Sequence, residues 1–434
     1  MEERRVALRD LLLKHPADIA EVLSHLSDEQ AAELLHRLYL RKAAAEPLGE
    51  MEPEDSAELL SELDRDEAIK ILSRMDPDDA VDLLEELPED VKEEILSRLA
   101  PKDAQILTKL LEYPPDTAGG LMSPEVVALP LNLTAQEAID ILRRKVEEVE
   151  TIYYAYAVDD EGRLEGVISL RDLALARPET RLSALVNRDV ISVPVDADAE
   201  DVARLFDKYN YYALPVIDAD RRLLGIITID DVIDVIREEA TEDIYRSQGV
   251  PLEERVDTPW HESLRWRMPW LYFNLLTAFL AASVVGAFEE TIAKFASLAF
   301  FMPIIAGQGG NAGMQTVTIV TRGIALGEVP KGEGWRILRK EILLGIFDGL
   351  AMGVVVGAVG FLWKKTIFLG IVVFLAMVFN MITAGIVGTV IPLTLRAMRQ
   401  DPALASSIFL TTFTDTLGFA FLFLLARTLL PELR

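Results

Sequence analysis

Two carboxylates stand where apolar sequence should exclude them. Asp348 lies in the stretch Ile342 to Trp363 and Asp415 near the middle of Pro402 to Ala426; no other Asp, Glu, Lys, Arg or His falls inside the long apolar stretches of the C-terminal part. A carboxylate at membrane depth costs ~2.5–3.5 kcal/mol on insertion scales, so it reads as a functional group facing a wet interior. Ser407, Thr411, Asp415 and Gly418 fall on one helical stripe, with Thr412, Thr414 and Thr416 nearby, so a polar line leads to the second carboxylate. The alternative is a helix-packing stripe in which Asp415 bonds a neighbouring hydroxyl. A third polar segment follows Pro303, the run Gly307-Gln308-Gly309-Gly310-Asn311-Ala312-Gly313. Its glycines predict bent backbone lining a cavity, with close helix packing as the alternative. Asn311 and Gln315, at i and i+4, would present amide oxygens on one face. The available chemistry is carboxylate, amide and hydroxyl oxygen. Without cysteine, and without His in these stretches, such hard ligands suit Mg²⁺ or Ca²⁺ better than Zn²⁺ or Cu²⁺.

A second group of acids lies outside the apolar stretches. Asp230, Asp231, Asp234, Glu238, Glu239, Glu242 and Asp243 follow one another on a long helical pattern, and Asp78, Asp79 and Asp82 form another acidic face. Charge runs are ordinarily solvated faces. Two like-charged faces in one protein, however, repel unless a cation bridges them, as Mg²⁺ with retained waters and one or two carboxylates can.

The elements that must position these residues divide into two parts. Acids outnumber bases 71 to 43, for a net charge of −28. Residues 1–260 carry 61 acids and 29 bases, net −32, whereas residues 261–434 carry 10 and 14, net +4. The acidic part repels phosphate backbones, which argues against nucleic acid and for cationic partners. The absence of cysteine excludes disulfides, thiolate metal sites and cysteine nucleophiles. Met1 to Asp10 is charged and shows no cleavable signal.

The last part holds five apolar stretches, Met268–Phe288, Phe295–Thr321, Ile342–Trp363, Thr366–Leu395 and Pro402–Ala426, each near the ~20 residues that cross a bilayer. A cytoplasmic N-terminus places nine Lys or Arg on inside loops, Lys331 among them, and five outside, Arg434 among them. That asymmetry predicts a multi-pass protein of the cell (inner) membrane, surrounded by lipid, with an extracytoplasmic C-terminus.

In the acidic part, Pro53-Glu54-Asp55, Pro77-Asp78-Asp79, Pro88-Glu89-Asp90 and Pro101-Lys102-Asp103 each precede an apolar periodic run. Proline at the first helical position with acids in the first turn is a start signal, so short helices stacked as an α-solenoid are expected over residues 1–120. A longer repeat follows: Val158-Asp159, Arg163-Leu164, Gly166, Ser169 and Asp172 recur 59 residues on as Ile217-Asp218, Arg222-Leu223, Gly225, Thr228 and Asp231. Each copy reads as strand, helix, strand, turn, strand, helix, giving α/β units over 121–183 and 184–237. A connecting helix over 238–266 is predicted to run straight into the membrane domain, 267–434.

The repeat resembles a tandem CBS pair, a regulatory module. In that family the Ser/Thr-x-x-Asp ending, here Ser169 to Asp172 and Thr228 to Asp231, often holds the ribose of ATP or another adenosine nucleotide. A capping-box helix start explains the same spacing. In order, the acidic helical solenoid, CBS pair, connecting helix and five-helix transmembrane domain resemble the MgtE family of magnesium channels. The supporting phrases are Ala118-Gly119-Gly120-Leu121-Met122, Glu239-Ala240-Thr241-Glu242-Asp243, Gly309-Gly310-Asn311-Ala312-Gly313 and Asp401-Pro402-Ala403-Leu404.

The resemblance implies a homodimer with the pore between its two membrane domains, Asp415 from both subunits holding hydrated Mg²⁺. It implies Asn311 as the glycine-rich Asn, and closure by cytosolic Mg²⁺ bound through Asp78, Asp82, Asp231, Asp234, Glu239, Glu242 and Asp243. Ser407 and Met314 stand where some members have Asn, and Asn210 where an acid can occur. The rival readings are a secondary transporter coupled through Asp348 and Asp415, and a CBS-regulated membrane enzyme, which would have only those two aspartates for catalysis.

Overall fold

A computed structural model describes residues 11–145, 149, 152–252, 254–256, 258–330, 332–404 and 406–430. The chain divides into two compact units, Met1–Arg237 and Glu238–Arg434. Lys331, Arg434 and the side chain of Asp243 lie outside the described residues, as does Met1 to Asp10.

The first unit begins with short helices: α1 Pro16–Ser24, α2 Asp28–Tyr39, α3 Ala45–Gly49, α4 Pro53–Ser61, α5 Arg65–Leu72, α6 Pro77–Glu85, α7 Glu89–Arg98 and α8 Pro101–Leu110. Pro16, Pro53, Pro77 and Pro101 open their helices at the first turn, where proline loses no hydrogen bond. Pro88 departs from the expectation and caps α7 instead, with Glu89 as its first residue. Each helix also packs beyond its neighbour in sequence, α4 on α6, α6 on α8 and α5 on α7. Leu59, Leu60, Ile71, Leu72, Leu83 and Leu84 bury the shared apolar faces.

Two three-stranded sheets follow with one topology. In the first, β1 Ala128–Pro130 runs parallel to β2 Tyr154–Val158, which pairs antiparallel with β3 Leu164–Ser169; α9 Ala135–Lys145 and α10 Leu170–Leu175 complete the unit. The second repeats it with β4 Val193–Pro194, α11 Ala199–Tyr209, β5 Ala213–Ile217, β6 Leu223–Thr228 and α12 Ile229–Gln248. The 59-residue repeat is visible in the register itself, since Tyr154 pairs with Ser169 and Ala213 with Thr228. Both β-turns hang on an aspartate: Asp159 Oδ1 accepts the Glu161 and Arg163 amides, and Asp218 Oδ1 those of Asp220 and Arg222. The left-handed position is Gly162 at φ +79° in the first copy and Arg221 at φ +64° in the second.

The connecting helix predicted for 238–266 is not continuous. Helix α12 ends at Gln248 and the next helix, α13 Trp260–Ala287, starts beyond a non-helical passage. Gly249 takes φ +68° and Pro251 and Pro259 follow, a helix stop.

The second unit continues with α14 Glu289–Lys294, α15 Met302–Ala325, α16 Gly334–Lys364, α17 Ile367–Ala397 and α18 Ser406–Leu429. Among the described residues, four helices, α13, α16, α17 and α18, are long and apolar enough to cross a membrane. The fifth expected span corresponds to α15, whose glycines, Gln308 and Asn311 lower its hydropathy. Helix α15 also corrects the expectation of bent backbone, because it passes unbroken through Gly307 to Gly313. The glycines there serve packing: a Cβ on Gly309 would overlap Asn380 of α17, and one on Gly313 would overlap Leu410 of α18. The same device joins α16 to α17, where a Cβ on Gly345 would stand 2.7 Å from the Met381 carbonyl and one on Gly357 2.8 Å from that of Gly370. Small residues let the two backbones approach, which dispersion rewards where lipid offers no hydrophobic drive.

Candidate functional site

Helix α18 carries the polar line toward Asp415. Thr411 Oγ1 donates to the carbonyls of Ser407 at 3.0 Å and Ile408 at 3.1 Å, Thr412 Oγ1 to Ile408 at 2.7 Å, and Thr414 Oγ1 to Leu410 at 3.1 Å. These hydroxyls therefore spend their protons on their own helix; the partly exposed Thr411 and Thr412 leave lone pairs outward, whereas Thr414 is buried. Asp415 is half-buried, and no hydrogen bond or ion pair to it forms among the described residues. A hydrated cation presents water hydrogens outward, so a surface of acceptors is what it requires. Asn311 and Gln315 are both exposed on α15, as their spacing predicts. Helix α15 lies on α18 through Gly310, whose added Cβ would touch Thr411 at 3.9 Å.

Two residues depart from the expected line. Gly418 is buried and faces Asn380, so it serves helix packing beside the stripe rather than surface on it. Ser407 donates to the carbonyl of Ser247 at 2.6 Å, which ties the end of α12 to the start of α18. Arg246 strengthens that junction, reaching Asp401 at 2.9 Å while pairing with Glu242. Asp348 is exposed, whereas Gly345 and Gly349 beside it are buried against α17.

Glu341 and Asn380 carry signals the sequence did not reveal. Glu341 is 4% exposed and accepts from Thr316 Oγ1 at 3.0 Å; Asn380 is wholly buried. Single polar residues at the edge or middle of apolar runs were the available sign.

In the first unit Asp76, the residue that caps α6, lies within electrostatic reach of Asp230 on α12. Desolvation, then the neighbouring charges of Glu46 and Asp230, raises the Asp76 carboxyl above its ordinary range. Asp231 is half-buried and is pushed up to about 6, first by desolvation and further by the like charges of Asp230 and Asp234, against the hydrogen bonds from Thr228. Asp78 is buried; Asp82 and Asp234 are exposed, and Glu239 is half-buried. Arg237 offsets part of the crowding by pairing with Glu52 of the helical stack and, at 3.4 Å, with Asp234. Among the described residues no three His, Asp or Glu side chains converge to grip a bare metal ion. Magnesium that keeps its waters needs no such cage.

The two Ser/Thr-x-x-Asp endings differ. Ser169 Oγ donates to Asp172 at 2.6 Å and accepts the Asp172 amide at 3.0 Å, a capped helix start. That pair opens on a cavity of about 160 Å³ whose wall includes Tyr154, Tyr156, Asn187, Asp189 and Tyr211. Thr228 is buried and gives both its hydroxyl, at 2.7 Å, and its amide, at 3.2 Å, to Asp231. Asp231 does not line that cavity and sits beside Asp230 and Asp234.

Comparison with known proteins follows the same divisions. The family model for the MgtE intracellular N domain matches residues 14–116, that for the CBS domain residues 118–179 and 182–238, and that for a divalent cation transporter residues 302–425. The magnesium transporter MgtE of Thermus thermophilus is 39% identical over 324 residues, covering 74% of this chain and 72% of the relative. That of Enterococcus faecalis is 37% identical, covering 71% and 68%. A crystal structure of the cytosolic domain of the Mg²⁺ channel MgtE in complex with ATP is similar at 40% identity and a TM-score of 0.51, over 52% of this chain and 93% of that one. With N domain, CBS pair and cation-transporter segment in one order, this chain belongs to the MgtE family of magnesium transporters.

Proposed function

We propose that the protein is a Mg²⁺ channel whose path runs along the Asp415 face of α18 and whose closure is driven by cytosolic Mg²⁺. The observation that carries this reading is the set of oxygen acceptors on neighbouring surfaces: Asp415, the back-bonded Thr411 and Thr412, and the amide oxygens of the exposed Asn311 and Gln315. Mg²⁺ sheds water reluctantly, and such a surface contacts its water shell without stripping it. In this reading α15 spans the membrane as the fifth helix, the N-terminus is cytoplasmic and the C-terminus outside. Two subunits face each other so that both Asp415 carboxylates attract the ion.

For the gate, Mg²⁺ bound by Asp78, Asp82, Asp231, Asp234 and the acids following on α12 relieves their repulsion and favours the closed arrangement. Helix α12 offers the route onward, since its end bonds Ser407 and Asp401 of the α18 segment. A ligand that binds one arrangement better shifts the population toward it. The Asp172 cavity is read as an adenosine-nucleotide site, supported by the ATP held by the similar cytosolic domain. No enzymatic role is assigned.

Liposomes containing the full chain and a Mg²⁺-sensitive dye test the transport reading. Uptake down a Mg²⁺ gradient with Na⁺ and protons equal on both sides is expected; uptake only when one of those gradients is imposed would favour the coupled transporter.

A further inference from the structure

Asn380 lies within α17 between Phe379 and Met381 and is 0% exposed. Its Nδ2 donates to the carbonyl of Ile305 on α15 at 2.8 Å. Its Oδ1 has no hydrogen-bond partner among the described residues and faces Gly418 of α18, where an added Cβ would stand 2.9 Å from that oxygen. On the opposite side, a Cβ on Gly309 of α15 would overlap Nδ2. One amide therefore occupies a space left by two glycines, one on each helix. Gly309 comes two residues before Asn311, and Gly418 three residues after Asp415. A buried acceptor without a donor is costly, so a leucine of similar volume would serve better if filling space were the whole purpose.

We infer that Asn380 is a positioning residue that sets the spacing between the α15 and α18 faces of the ion path, and through it the discrimination among hydrated divalent ions. This rests on the reading of α18 as the lining of that path. The amide anchors α15 by a hydrogen bond and limits α18 by contact with Gly418. Replacing it lets Asn311 and Asp415 drift relative to each other. A change in which ion passes is expected before passage itself is lost.

The test uses the full chain in liposomes, with Mg²⁺ and Co²⁺ uptake each measured per mole of monodisperse protein, and with melting temperatures. Asn380→Leu is expected to keep the melting temperature and change the Mg²⁺ to Co²⁺ uptake ratio by about three- to tenfold, the range of an interhelical polar contact. Gly418→Ala is expected to reduce uptake by pressing a methyl on Oδ1, and adding Asn380→Ser to clear that methyl should recover most of it. An unchanged ion ratio in Asn380→Leu, or a double variant no better than the product of its singles, overturns the inference. Lower uptake that merely follows less folded protein, at an unchanged ratio, overturns it as well. Asp415→Asn is measured in parallel: normal uptake there overturns the ion path itself, whereas an inactive Asp415→Asn beside an unaltered Asn380→Leu overturns only the role of Asn380.

Discussion

Asp231 and Asp415 are both half-buried aspartates with threonines close by, yet the protein surrounds them differently. Around Asp231 the acids are crowded, with Asp230 and Asp234 on its own helix, and Asp76 feels Asp230 from α6. Around Asp415 there is no second Asp or Glu on α18, and the hydroxyls of Thr411, Thr412 and Thr414 bond back to their helix. Crowded carboxylates gain most when a divalent cation arrives, because the ion removes repulsion among several groups at once. A lone carboxylate attracts the same ion without holding it, and conduction requires binding weak enough to release. On the proposed reading, sensing and passing Mg²⁺ call for the same side chain in different company.

The largest effect should come from the lone group. Asp415→Ala is expected to lower Mg²⁺ uptake into liposomes by about 100-fold, ~2.7 kcal/mol on the barrier, whereas Asp348→Ala, altering an exposed residue, should leave most uptake intact. Equal losses in the two would erase the distinction between path and periphery.

For the crowded group, neutralising Asp231, Asp234 and Glu239 together should raise the Mg²⁺ concentration that half-closes the channel by about 5- to 150-fold, the usual span of allosteric coupling. Unaltered closure would remove α12 from the gate. Protonation offers a gentler probe. Burial and the neighbouring acids push the Asp231 carboxyl up to about 6 from the ordinary 3.8, so the folded state binds more protons and, without Mg²⁺, loses stability as pH rises from about 4 to about 6. Added Mg²⁺ should accordingly raise the melting temperature more at pH 7.5 than at pH 5; an equal rise at both would detach the ion from this cluster.

Nucleotide binding separates the two CBS copies. Asp172→Asn should weaken ATP binding by about 10- to 100-fold in calorimetry, the value of a charged hydrogen bond, while Asp231→Asn should leave it unchanged. The smallest effect lies in their turns. Arg221 holds φ +64° where Gly162 stands in the first copy, and Arg221→Gly trades relief of that strain against chain entropy, for a net gain of about 0.5 kcal/mol or less by denaturant unfolding.

Much of this architecture was legible in one dimension because the signals are local. Proline with acids marks helix starts, the 59-residue repeat returns in the sheet register, and long apolar runs become α13, α16, α17 and α18. What resisted reading depends on which partner a residue meets. Glycine bends a chain and admits a neighbouring helix with the same letter, so Gly307 to Gly313 suggested bending where α15 is straight-through helix, and the Gly345, Gly349, Gly353 and Gly357 stripe passed without notice. The acids of α12 suggested one uninterrupted connection, but Gly249 and two prolines stop it. Of the proposed ion path, Asp415, Asn311 and Gln315 stand out in the sequence by chemistry and spacing. Gly418 and Asn380 gain their meaning only from each other across two helices.

The claim that one ion is both passed and sensed is tested most directly by recording current through the full chain in a planar bilayer while Mg²⁺ is titrated on the side of the acidic unit. The account predicts Mg²⁺ current that falls as that concentration rises, and current that persists at high Mg²⁺ when Asp231, Asp234 and Glu239 are neutralised. Current in both proteins that is indifferent to Mg²⁺ on that side would contradict it.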